Sequence, residues 1–169
     1  MVEQISPPLF YDDDEIHKIL KSTNIIALVG ASPKWVRPSN FVMKYMQGKG
    51  FRVIPVNPSF VGNKILGETV YATLADIPLK FDMIDIFRSS IAAAGVVDEA
   101  LDLGPDSNIK TIWMQLTVRN DAAARKAVAE GIQVVMDRCP KIEYGRLFGE
   151  LGWSGVNSGI ITSKRRKFS

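Results

Sequence analysis

The 169-residue chain has one cysteine, Cys139, and one histidine, His17. A lone cysteine excludes an intramolecular disulfide and fits a reducing compartment. A lone histidine, on a predicted helix ahead of the first strand, leaves a serine or cysteine nucleophile without a base in the expected cleft. No apolar run approaches the ~20 residues that cross a bilayer. The start, Met1 to Pro8, lacks the basic region and apolar core of a secretory signal and the arginines of a mitochondrial presequence, so a cytoplasmic location is expected. No Gly-Lys-Ser/Thr phosphate loop occurs, which argues against nucleotide hydrolysis. A basic face is missing too. The formal charge of +3 comes from Lys164, Arg165, Arg166 and Lys167, without which 17 basic residues face 18 acidic ones. The expected partner is therefore a small molecule, not nucleic acid or membrane. The basic tail offers a nuclear address as the alternative location. No pattern in the chain specifies an oligomeric state.

What the chain does have is a parallel-sheet opening. Ile25-Ile26-Ala27-Leu28-Val29 is a buried-strand run that ends on Gly30-Ala31-Ser32-Pro33. Residues without bulk let a phosphate approach the backbone, and a following helix, about 39–47, offers free N–H groups and the positive end of its dipole. Phe41, Val42, Tyr45 and Met46 give that helix an apolar stripe for the sheet. Further strands are expected at 51–56, 81–87, 109–115 and 132–136. Helices are expected at 12–21, 91–103 and 121–130. Pro55 predicts an irregularity in the second strand.

Strands alternating with helices predict a Rossmann-like, doubly wound parallel sheet of five strands with helices on both faces. The expected order is 3-2-1-4-5, which reverses between strands one and four. Residues 1–11 read as an N-terminal arm, 12–147 as the domain, and 148–169 as a glycine-rich extension with a basic tail.

Ligands of such sheets sit at the carboxyl ends of the strands. Those ends are Gly30-Ala31-Ser32, Asn57-Pro58, Phe87-Arg88, Gln115-Leu116 and Asp137-Arg138-Cys139. A dinucleotide fits them poorly. After Gly30 the fingerprint positions are Ser32 and Trp35, and Asn57 stands where an acid would hold the ribose. Arg52 or Lys64 leaves NADP open through a 2′-phosphate. Cationic groups gather at this edge: Lys34, Arg37, Lys64 and Arg88. They suit a ligand with several phosphates. Trp35, Phe87 and Trp113 are candidates for an apolar wall. The run Asp12 to Glu15 reads as a solvated helix start, not a metal site. Cys139 reads as a semi-buried structural residue, with Arg138 beside it able to lower its pKa. Asp137 is expected to cap a turn or pair with Arg138.

Ala27 to Pro33 with Arg37-Pro38-Ser39, Val53 to Pro58, Asp85 to Arg88, Trp113 to Gln115 and Val135 to Pro140, in that order, resemble the small stand-alone CoA-binding proteins of the Rossmann type. These are related to the CoA-binding domain of the succinyl-CoA synthetase alpha subunit. The resemblance covers roughly residues 12–145. It implies that coenzyme A, free or acylated, rests its pyrophosphate on Gly30, Ala31, Ser32 and the next helix. It implies that Arg37 and Lys64 meet phosphates. Asn57 and Pro58 would border the adenosine, and Phe87, Arg88, Met114 and Gln115 the cleft beyond. The synthetase's phosphohistidine domain and nucleotide-binding partner have no counterpart here. The expectation is binding without catalysis, as a sensor or carrier. The alternatives are an NADP- or CoA-dependent enzyme completed by a partner chain, and an interaction module using the glycine-rich C-terminus.

Overall fold

A computed structural model describes residues 9–149 and the strand pair at 156–157 and 160–161. Helix α1 (Asp13–Ser22) is capped by Asp12, whose carboxylate accepts from the Asp14 N–H at 2.8 Å. Its first-turn acids face the positive helix end. Ile16, Ile19 and Leu20 are its buried stripe. The sheet strands are β1 (Ile25–Val29), β2 (Arg52–Val56), β5 (Met83–Ile86), β6 (Thr111–Met114) and β7 (Gln133–Val135). A short hairpin, β3 (Lys64–Ile65) with β4 (Glu68–Thr69), precedes β5. The helices that flank the sheet are α2 (Pro38–Gly48), α3 (Ser90–Asp102), α4 (Asp121–Ala129) and α5 (Pro140–Leu147). The outlying pair is β8 (Val156–Asn157) with β9 (Ile160–Ile161).

All five sheet strands are parallel and ordered β2-β1-β5-β6-β7. Alternation along each strand splits the core into two layers. Ile26, Leu28, Val53, Met83, Trp113 and Val135 pack against α1, α2 and α5. Ala27, Val29, Ile54, Ile84, Ile86 and Met114 pack against α3 and α4. The doubly wound Rossmann-like class is as expected.

One placement differs. The third sheet strand, β5, was expected outside β2, but it lies between β1 and β6. In sheet-strand numbers the order is 2-1-3-4-5, so the reversal falls between β1 and β5. The link from β2 to β5 contains no α-helix, only turns and the β3–β4 hairpin. Its Tyr71 covers the outer edge of β2, through a bridge to Val56 and an N–H donated to the Pro55 carbonyl at 3.1 Å. A third strand at that edge would collide with this cover.

Pro55 causes no irregularity. It stays in register opposite Leu28, and its imide nitrogen lies on the outer side with its carbonyl, where no β1 bond is lost. The wrap expected after Cys139 contains α5. Its Gly145 is buried. His17, expected at the surface, stacks on Phe148 at 4.6 Å. The basic tail lies outside the described residues.

Candidate functional site

Gly30 is the hinge of the site. It sits at φ +88°, a region that favours glycine, with its N–H donating to the Val56 carbonyl at 2.9 Å. A Cβ at this position would stand 2.2 Å from the Phe87 carbonyl oxygen and 3.2 Å from Cδ of Arg88. The turns after β1 and β5 therefore touch, and the stem of Arg88 lies over the glycine. This is the reversal point of the sheet, where open α/β proteins form their crevice.

Side chains pin the turn from both sides. Asn40 Nδ2 donates to the Ser32 carbonyl at 3.0 Å, and Asn57 Nδ2 donates to the Ala31 carbonyl at 2.8 Å. The Ser32 hydroxyl accepts from the Lys34 N–H at 3.2 Å. Helix α2 starts after Arg37 with Pro38 in its first turn, and has neither a side-chain cap nor an acid in that turn. Its positive end is left uncompensated, unlike that of α1.

Gly30, Ser32, Lys34, Arg37, Pro38, Ser39, Asn57, Phe60 and Phe87 line a cleft of about 350 Å³. Eight of these nine come from the sequence reading. Phe60 was not anticipated. It lies on the turn Pro58–Phe60, and nothing in the local pattern of a turn-rich stretch distinguishes it. Ala31 is buried beneath the turn. Pro58, Lys64 and Arg88 stand outside the lining, with Lys64 carried away on the β3–β4 hairpin.

Met114 and Gln115 do not reach the cleft. Met114 is wholly buried in the α3–α4 layer. Gln115 turns inward, and its Nε2 donates to both carboxyl oxygens of Asp85 at 3.0 and 3.1 Å. Asp85 itself is buried, and desolvation pushes its pKa up to about 8 against the Gln115 bond that lowers it. Sequence reading passed over Asp85 because an acid inside a strand carries no local mark of its burial.

Other expected groups are engaged elsewhere. Trp113 is buried and donates its indole N–H to the Arg138 carbonyl at 2.8 Å, while Trp35 is three-quarters exposed beside the cleft. Arg52 sits at the amino end of β2, paired with Glu68 at 3.2 Å, far from any 2′-phosphate at the carboxyl end. Cys139 is buried, and burial raises its thiol pKa, contrary to the lowering expected from Arg138. The Asp137 carboxylate accepts from the Thr117 N–H at 2.7 Å, while Arg138 donates to the Asp137 backbone carbonyl. Among the described residues no group of His, Cys, Asp or Glu could hold a metal ion. None of the described helices is long and apolar enough to cross a membrane.

Residues 24–145 match the family model of the CoA binding domain, which spans the sheet and the cleft. The chain belongs to the CoA-binding domain family. A relative in this family range is protein YneT of Bacillus subtilis (strain 168), 33% identical over 130 residues, covering 77% of this chain and 92% of that protein. A solved structure from Pyrococcus horikoshii OT3 is 35% identical with a TM-score of 0.77, covering 86% of this chain and 99% of that one. The fold also appears within dinucleotide forming acetyl-coenzyme A synthetase 1 of Ca. Korarchaeum cryptofilum, at 21% identity and a TM-score of 0.55. There it covers 68% of this chain and 26% of the synthetase. The cleft combines a glycine that a side chain would obstruct, an open helix end, and two cations, Lys34 and Arg37, in its wall. Lys34, Arg37, Lys64 and Arg88 have no ion-pair partner among the described residues, whereas Arg52, Arg119, Lys126 and Arg146 do.

Proposed function

We propose that this CoA-binding domain holds coenzyme A or an acyl-CoA at the carboxyl ends of β1, β2 and β5, without catalysing a reaction itself, as a sensor or carrier. The observation that carries this reading is the composition of the cleft wall: Lys34 and Arg37 stand at an uncapped helix end beside Gly30, and no acid or histidine lines it. Such a wall attracts a polyanion and offers no general base. The diphosphate rests on Gly30, Ser32 and the first turn of α2, with Arg37 and Lys34 neutralising it and the 3′-phosphate. The stem of Arg88 lies over Gly30 from the β5 side, next to the lining.

A dinucleotide is disfavoured by Asn57. Its Nδ2 is committed to the Ala31 carbonyl, and its Oδ1 accepts from the Ser59 N–H at 2.9 Å. One donor and one acceptor site remain, but no carboxylate stands there to accept both hydroxyls of a ribose diol. A thermal-shift panel of CoA, acetyl-CoA, NAD and NADP tests the reading. At ~100-fold over its dissociation constant the true ligand stabilises by about 2.7 kcal/mol. Stabilisation by NADP with none by CoA would overturn it. Arg37→Ala is expected to weaken CoA about five- to tenfold, dephospho-CoA less, and pantetheine not at all, as removal of one exposed phosphate contact implies. Equal losses for all three would remove Arg37 from the phosphate site.

A further inference from the structure

Beyond Phe87 the carboxyl rim of the sheet changes character. Three loops there each expose one large apolar side chain. Ile91 opens α3 and is 87% exposed, Leu116 follows β6 and is 48% exposed, and Phe10 on the arm is 86% exposed. The polar groups between them are spent on holding the loops together. Ser90 Oγ donates to the Thr117 carbonyl at 3.3 Å and accepts from the Arg119 N–H at 3.0 Å. The Asp137 carboxylate accepts from the Thr117 N–H, and Arg138 donates to the Leu9 carbonyl at 3.4 Å. Arg119 is paired with Asp121. Thr117 and Asp137 are held at φ +70° and +54°; this is costly for the β-branched Thr117 and tolerated by an aspartate, so the rim is shaped at some expense.

The dimensions match a ligand that continues from the cleft. Strands lie about 4.8 Å apart, so the end of β6 is about 10 Å from that of β1, and the end of β7 about 14 Å. The pantetheine arm is built like about four extended residues and reaches about 14 Å. With the diphosphate beside Gly30 and the arm running along the crevice past Phe87, the sulfur arrives over β6 and β7, among Leu116, Ile91 and Phe10. We infer that this rim receives the hydrocarbon chain of a thioester, and that the protein selects apolar acyl-CoA over free CoA. The inference rests on the CoA reading of the cleft and names the ligand class within it.

The test is an affinity series by calorimetry on the full chain: CoA, acetyl-CoA, hexanoyl-CoA and decanoyl-CoA, all below their micellar concentrations. Affinity is expected to rise with chain length, reaching about tenfold from acetyl to decanoyl. That is well short of the roughly fourfold per methylene of complete burial, as an open rim requires. Ile91→Ser with Leu116→Ser changes two exposed side chains that do not touch the phosphate cleft. It is expected to flatten the series while leaving free CoA unchanged. Equal affinities along the series, or a slope that survives in the double variant, would overturn the acyl assignment with the CoA site intact. Failure of every member to bind would instead remove the CoA reading itself.

Discussion

Gly30→Ala is expected to lower stability by about 3 kcal/mol or more and to abolish stabilisation by CoA at any accessible concentration. Two costs coincide at this position. The residue is at φ +88°, where an L side chain is strained by about 1–2 kcal/mol. The added methyl would also stand 2.2 Å from the Phe87 carbonyl, a backbone atom at the end of β5 that cannot rotate away. Relief requires the β1 and β5 turns to part, and these are the two walls of the cleft. Gly67 supplies the control. It has a nearly identical φ of +86° in the β3–β4 turn, but a Cβ there meets nothing within 4 Å. Gly67→Ala is expected to cost only the backbone strain and to bind CoA normally. For a chain of this size the two variants would differ by several degrees in melting temperature. Equal melting temperatures, or a Gly30→Ala protein that still answers to CoA, would show that the two turns do not depend on close contact.

Asp85→Asn is expected to stabilise the protein, and by an amount that depends on pH. Asp85 faces the α1–α2–α5 layer, between Leu28 and Trp113 in the sheet register, and is 1% exposed. Burial raises its folded pKa to about 8, whereas in the unfolded chain an aspartate titrates near ~3.9. Between those two values the unfolded chain binds fewer protons than the folded one, so stability falls as pH rises from about 4 to about 8. Below that window the carboxyl is neutral in both states and costs nothing extra. Asparagine is neutral throughout, and the Gln115 amide can turn its oxygen toward the new Nδ2. The variant and the parent should therefore match near pH 4 and diverge steadily, with the variant ahead by on the order of 5 kcal/mol at pH 8. Urea unfolding of both proteins at pH 4.5, 6 and 8 measures this. A constant difference across that range would mean that Asp85 is not held neutral by the fold.

These two residues mark what the linear chain does and does not carry. Gly30 announces itself: an apolar five-residue run stopping on glycine and small residues has few other uses, and it predicts a turn that a phosphate can approach. Asp85 is silent, because in a run such as Met83-Ile84-Asp85-Ile86 only the packed layer above the strand shows whether the acid meets water or Trp113. The same division runs through the rest. Strand and helix periods, the missing ribose acid after β2, the scarcity of histidine and the confinement of excess positive charge to the tail are local properties, and they sufficed for the fold class and for most of the cleft wall.

Strand order was not local. Whether β5 lies beyond β2 or beside β1 depends on where the helix-free segment 57–82 packs, and Tyr71 closing the edge of β2 decides it. That choice brings Phe87 and Arg88 against Gly30. The directions of the Met114 and Gln115 side chains follow from the two-residue period once the faces are assigned, and the fold assigns both inward. Phe60 enters the cleft wall by the turn that follows Asn57. The sequence by itself determined a parallel sheet with a small-residue, cation-flanked turn after its first strand, because periodicity and side-chain size act over a few residues. Only the tertiary structure decided which turn lies opposite it, which acid is buried and where the apolar rim stands, because those depend on contacts between segments tens of residues apart.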